Sequence, residues 1–116
     1  MTIADSIRYT VVAEFDEAAV AEEWTAWLRA GHLADVIEAG AIDAEVVAID
    51  HEDGHPIERE VRYRFADRAS LDRYVREHAP RLRAEGLALF PPERGVRYRR
   101  SIGEAVIELP SRSSRA

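Results

Sequence analysis

Four histidines carry most of the chemistry open to this chain, and they fall in three places. His32 is followed at three residues by Asp35, the chain's best polar pair. A carboxylate beside an imidazole suits a general base working near neutral pH. The local alternative is a histidine at a helix break, with Asp35 in the first turn of the next helix, where negative charge meets the helix dipole. His78 repeats that layout with Arg81 in place of Asp35, and a repeated device points to architecture. His78 also shares a stripe with Tyr74 and Leu82, as a core histidine would. His51-Glu52-Asp53-Gly54-His55 satisfies HExxH. The zinc motif requires a helix to bring both histidines to one face, whereas here Asp53-Gly54 signals a turn and Pro56 follows. A metal site is therefore not expected. Trp24, Trp27, Tyr9, Tyr63, Tyr74 and Phe90 have the spacing of core residues. If a cleft exists between helices and sheet, Trp27, His32 and Tyr63 would line it, and a small, partly apolar molecule would fit.

The missing residue types exclude more. There is no cysteine, hence no thiolate nucleophile, iron–sulfur cluster or disulfide. All 16 basic residues are arginine, which removes Schiff-base chemistry and a P-loop. No cofactor is expected. Asp and Glu number 22, so the net charge is 16 − 22 = −6, which disfavours nucleic acid and anionic lipid. Arg62-Tyr63-Arg64-Phe65 and Arg97-Tyr98-Arg99-Arg100 invite an RNA reading, but the glycines of the RNP1 pattern are absent. No Gly-x-Ser-x-Gly supports a serine triad. Met1 to Arg8 carries Asp5 and no apolar run, and no stretch approaches the ~20 residues of a membrane span. A soluble, cytoplasmic protein is the expectation.

The elements that must position these residues follow from periodicity. Ile7 to Phe15 alternates as a strand. Asp16 is expected to cap a helix with Val20, Trp24, Trp27 and Leu28 inward. Gly31 interrupts it, His32 to Ala39 forms a short second helix, and Gly40 is its C-cap. Ala41 to Ile49 and Ile57 to Phe65 pair as a hairpin about Asp53-Gly54. Asp67 or Ser70 starts a helix carrying Leu71, Tyr74 and Val75, which breaks at Pro80. A short helix from Pro80 to Ala84 or beyond is expected to end or bend at Gly86. Val96 to about Leu109 is extended, with a bulge or bend at Gly103. The order β-α-β-β-α-β predicts an α+β, ferredoxin-like domain over residues 1–110, with a four-stranded antiparallel sheet and helices on one face. Residues 111–116 read as a disordered tail. An internal echo agrees: His32-x2-Asp35-Val36-x3-Gly40 parallels His78-x2-Arg81-Leu82-x3-Gly86.

Burying Val61, Tyr63 and Phe65 turns Glu58, Glu60, Arg62 and Arg64 to the opposite face. Arg8, Thr10, Val12 and Glu14, then Asp43, Glu45, Val47 and Ile49, then Arg97, Arg99 and Ser101, join them. A solvated face is one reading. The other is a homodimer joined sheet to sheet, with arginine–carboxylate pairs fixing its register. Arg8, Glu45, Glu60, Arg62, Arg64, Arg97 and Arg99 would form that seam.

The stretches WTAWLRAGHLADVIEAG, YRF and LDRYVREHAPRLRAEGL together resemble family 4286 of the domains of unknown function, over residues 7 to 108. EHAPRLRAEGL is the most specific part, while the hairpin tip HEDGHP and the Pro91-Pro92 loop depart from the pattern. The family resembles the dimeric α+β barrels, so the resemblance implies that fold and a homodimer. It carries no established activity. Other branches of that superfamily include cofactor-free monooxygenases, lactone isomerases and polyketide cyclases. Two functions stand as expectations: a homodimer binding a small molecule through Trp27, Tyr63 and His78, or a cofactor-independent oxygenase or isomerase. In the second, His32 accepts a proton with Asp35 beside it.

Overall fold

The computed structural model describes residues 6–109, so the expected disordered tail at 111–116 lies outside the described residues. Strand β1 (Ile7–Phe15) buries Ile7, Tyr9, Ala13 and Phe15 and turns Arg8, Thr10, Val12 and Glu14 the other way. Helix α1 (Ala18–Trp27) leads into a kinked turn at Leu28–His32, then α2 (Leu33–Glu38). In the kink the Leu33 N–H reaches back to the carbonyl of Leu28, one residue further than an α-helix allows, and Gly31 leaves helical angles. Strands β2 (Asp43–Ile49) and β3 (Ile57–Phe65) form the hairpin. Helices α3 (Arg68–Glu77) and α4 (Ala79–Leu89), a 3-10 turn (Pro92–Arg94) and strand β4 (Val96–Glu104) complete the chain. The sheet order is β2-β3-β1-β4 with every neighbouring pair antiparallel. This is the expected α+β, ferredoxin-like arrangement.

The core lies between the helices and one face of the sheet. Ile7, Phe15, Val61 and Phe65 from the strands meet Trp24, Leu28, Val36, Leu71 and Leu82 from the helices, all fully or almost fully buried. Each such side chain contributes about 1.5–3 kcal/mol of transfer free energy. Among the described residues no helix is long and apolar enough to cross a membrane.

Four local expectations change. The N-cap of α1 is Glu17, with no side-chain cap bond, because Asp16 is engaged elsewhere. Its carboxylate accepts from Arg97 at 2.9 Å and its N–H donates to the Gly95 carbonyl at 3.0 Å, tying the helix entrance to β4. Gly95 (φ +76°) permits this approach, since a Cβ there would stand 2.7 Å from the Asp16 carboxylate. Helix α4 runs through Gly86 to Leu89 rather than ending or bending there. Gly86 instead lies against a neighbour, the Trp27 ring, which a Cβ would approach to 3.2 Å. The echo is therefore one of position: Gly40 (φ +135°) caps a helix and Gly86 lies inside one. Gly103 carries no bulge, since β1 and β4 keep one register from Ile7↔Glu104 to Phe15↔Val96. Finally, Val12 faces the outer side of the sheet but is only 7% exposed, lying in register between Glu60 and Arg99.

Candidate functional site

The tyrosines on the helix-facing side of the sheet follow from strand parity. Tyr9 of β1 and Tyr63 of β3 are cross-strand partners with ring centroids 6.0 Å apart, and Tyr74 of α3 closes on Tyr9 at 6.0 Å. Above them stand Trp24, Trp27, the kink and α4, and between the layers lies a cavity of about 50 Å³. At ~10–15 Å³ for one water, that is room for about four. Its mouth lies between α4, where Leu87 is 45% exposed, and the edge strand β4, which the helices leave uncovered beyond Tyr98. Burial pushes the Tyr74 phenol up to about 12 and raises Tyr63 as well, so both remain protonated donors at neutral pH. Arg83 of α4 donates to the Tyr9 hydroxyl at 3.0 Å. Tyr98 donates to the Phe90 carbonyl at 2.9 Å, and burial pushes its phenol up to about 12.

The kink decides where His32 points. Its ring folds back onto Trp27, five residues earlier, with centroids 4.2 Å apart and planes at 24°. Nδ1 is buried with no hydrogen-bond partner among the described residues. Burial holds the imidazole below its ordinary value, against the opposing pull of Asp35 and Glu85. The neutral ring, able to accept a proton, is therefore favoured near pH 7.

The structure brings Trp27, His32 and Tyr63 to one cavity. Asp35 lies on the outer side of His32, in a surface depression with Glu85, and does not enter the cavity. His78 sits at the α3–α4 junction, 6.5 Å from the Tyr74 ring, and faces a separate depression with Asp35, Glu38 and Arg81. The His51–His55 pentad is a loop, with Gly54 at φ +81° and His51 Nε2 3.1 Å from Glu58 Oε1. Two charged lining residues escaped the sequence reading, Arg83 and Arg100. Strand parity carried a signal for one of them, since Arg97 and Arg99 facing outward require Arg100 to face the helices.

On the outer face of the sheet, Arg8 lies opposite Arg64 and Glu14 opposite Glu58. Each like-charged pair is relieved from beside it. Arg64 binds Asp43 at 2.7 Å, Arg8 binds Glu108 at 2.8 Å, Arg99 binds Glu14 at 3.1 Å and His51 meets Glu58. Arg62 binds Glu60 at 3.0 Å, and Glu45 is exposed beside them.

The fold is similar to that of a dimeric ferredoxin-like protein from an uncultured marine organism, with TM-score 0.72 and 15% identity over 90% of this chain and 98% of that one. It is also similar to SnoaB, a cofactor-independent oxygenase from Streptomyces nogalater, with TM-score 0.61 and 13% identity over 93% of this chain and 100% of the other. An ethyl tert-butyl ether degradation family protein from Bacillus halodurans gives TM-score 0.57 and 16% identity over 84% and 97%. At such identities the likeness shows the fold. No curated protein matches the chain by sequence. The profile of a domain of unknown function, DUF4286, matches residues 6–102, and the chain belongs to that family.

Proposed function

We propose that the chain is a cytoplasmic homodimer that binds a small, partly apolar molecule in the cleft between helices and sheet. The observation that carries this reading is the cleft itself. Its wall is aromatic, from Tyr9, Trp27, Tyr63 and Tyr74, yet it contains two buried nitrogens without partners, His32 Nδ1 and Arg83 Nε. A buried polar atom left unsatisfied costs ~1–3 kcal/mol, so a bound ligand or trapped water that pairs with these nitrogens is favoured. Trp27 and Tyr63 hold the ligand, while His78 stands outside the cleft.

The dimer reading rests on the outer sheet face, where Arg8, Glu45, Glu60, Arg62, Arg64, Arg97 and Arg99 surround the partly buried Val47 and Ile49. Beyond β4, Val106, Ile107 and Leu109 are 80%, 74% and 83% exposed, and the Arg8–Glu108 pair holds their segment against that face. An apolar cluster of this kind on one chain favours a second copy as its cover. The fold likeness to a protein described as dimeric points the same way.

Native mass spectrometry of gently purified protein tests both parts. A mass near twice 13.1 kDa plus a denaturation-labile small molecule is expected. A bare monomer would sink the dimer, and no retained or added small molecule binding the cleft would sink the ligand.

A second reading has its own observation. His32 is kept neutral at a cavity wall, as a proton acceptor in a cofactor-independent oxygenase or isomerase would be, with Asp35 on its solvent side. His32→Ala and His32→Gln discriminate. Turnover of the released compound lost from folded, dimeric variants supports the enzyme. Turnover retained, or loss of the dimer in both variants, removes its base.

A further inference from the structure

The cleft holds positive charge that no carboxylate among the described residues pairs with. Ten arginines among the described residues have a carboxylate within salt-bridge distance, as expected in a chain of net charge −6. Four are not among them: Arg29 and Arg73, which are exposed away from the cleft, and Arg83 and Arg100, which line it. Arg83 enters from α4. One Nη donates to the Tyr9 hydroxyl at 3.0 Å, while Nε is buried and unpaired. A guanidinium taken partly out of water without a counter-charge is unfavourable, and its planar fork matches a carboxylate. Arg100 enters from β4, in register with Val11 of the cleft wall, and its guanidinium lies 6.0 Å from the Tyr98 ring centroid. The two cations reach the cavity from different elements, a helix and an edge strand. Both line the same cavity as the Tyr74 ring. With its oxygen accepting from Arg83, Tyr9 keeps its own proton free to donate.

We infer that the cleft recognises a small aromatic carboxylate, its charged end held by Arg83 and Arg100 and its ring laid against Trp27 and Tyr63. This rests on the proposed ligand-binding reading of the same cleft and adds the chemical class. The cavity's size restricts the ring system to about one ring, and its aromatic walls favour stacking over hydrogen-bonded sugars or peptides.

The test is isothermal titration of the dimer with benzoate and with benzamide, which share a shape and differ in charge. Arg83→Gln and Arg100→Gln are compared with Arg29→Gln, an exposed arginine outside the cleft. Wild type is expected to bind benzoate at least about tenfold more tightly than benzamide. R83Q and R100Q should each erase most of that preference without weakening benzamide, and R29Q should keep it. Arg100 is exposed, so R100Q keeps the test decisive if R83Q does not fold. Equal binding of the two probes to wild type overturns the anion inference and leaves the cleft a neutral-ligand site. A preference that survives both R83Q and R100Q overturns the residue assignment. Binding of neither probe overturns the inference and counts against the ligand-binding reading beneath it.

Discussion

At Gly86 helix propensity and cleft geometry oppose each other, which makes Gly86→Ala an informative substitution. Helix α4 runs uninterrupted from Ala79 to Leu89. Glycine inside a helix costs about 1 kcal/mol relative to alanine, so the helix alone predicts a gain of that size. In a domain this small the gain would raise Tm by roughly 4–8 °C. The cleft opposes it, because the new Cβ would stand 3.2 Å from Cη2 of Trp27 and 3.7 Å from Cζ3. Carbon pairs settle at ~3.5–4.0 Å, so the ring must recede by a few tenths of an ångström. Trp27 is stacked on His32 at 4.2 Å and tilted against Phe90 at 5.7 Å, and the adjoining cavity gives it somewhere to go. Overpacking costs about 1–3 kcal/mol, and the open side places this case near the low end. The two effects nearly cancel, leaving G86A within about 0.5 kcal/mol of wild type. Trp27→Phe retracts the ring edge that the methyl meets, and in that background G86A should recover about 1 kcal/mol. Urea unfolding of the four proteins, followed by far-UV circular dichroism at one protein concentration, measures the coupling. Equal stabilisation by about 1 kcal/mol in both backgrounds would refute the reasoning and return Gly86 to an ordinary weak helix position.

Three further outcomes are expected. Asp67 accepts from the Ser70 N–H at 2.8 Å as the N-cap of α3, so Asp67→Ala should cost about 1 kcal/mol while Asp67→Asn keeps most of the stability. Scanning calorimetry checks this, and an unchanged Tm for Asp67→Ala would contradict the cap. Tyr9→Phe removes the acceptor of the Arg83 guanidinium and should cost about 1.5–3 kcal/mol in urea unfolding, with Tyr63→Phe cheaper. A smaller loss for Tyr9 than for Tyr63 would show that the Arg83 bond contributes little. Burial lowers the folded-state pKa of His32, so the unfolded chain binds its proton first as pH falls. Stability should be full above the ordinary value, 6.5, decline as pH drops below it, and level off below the folded value. His32→Gln should flatten that segment of a urea-midpoint profile, and an identical profile in wild type and variant would refute it.

The strands were legible because a half-buried antiparallel sheet writes its faces at period two. Ile7–Phe15 and Ile57–Phe65 match their expected limits and carry that alternation except about Val12 and Glu58, which are buried on the outer face. The same parity turned Tyr63 toward the helices, and helical spacing turned Trp27 inward to meet it. What local reading missed depends on partners distant in sequence. Asp16 has the chemistry of a cap, yet Arg97, 81 residues on, competes for its carboxylate. Gly86 has the propensity of a helix end, yet the Trp27 ring determines its role. Asp35 follows His32 at helical spacing, which suggests a working pair. The kink instead turns the imidazole back onto Trp27 and leaves Asp35 outside. Nothing in local spacing sets Arg83 apart, and only the position of Tyr9 beneath α4 reveals its contact.

The two faces of the sheet dispose of charge in opposite ways, and the contrast bears on what drives each proposed interaction. On the outer face the ion pairs close within one chain: Arg64 on Asp43, Arg8 on Glu108, Arg97 on Asp16 and Arg99 on Glu14. Exposed pairs of this kind contribute ~0–1 kcal/mol each, and none needs a second copy to be satisfied. Affinity in the proposed dimer must therefore come from apolar surface, Val47, Ile49 and the segment from Val106 to Leu109, with the charges setting register. On the inner face the reverse holds. Apolar burial there is already complete around Phe15, Val61 and Phe65, and Arg83 and Arg100 remain without a carboxylate among the described residues. Among the described residues this net-acidic chain pairs every sheet arginine but Arg100 and leaves Arg83 of α4, in the same cleft, without a carboxylate; that is a vacancy for negative charge, and the ligand is the element of the system free to fill it.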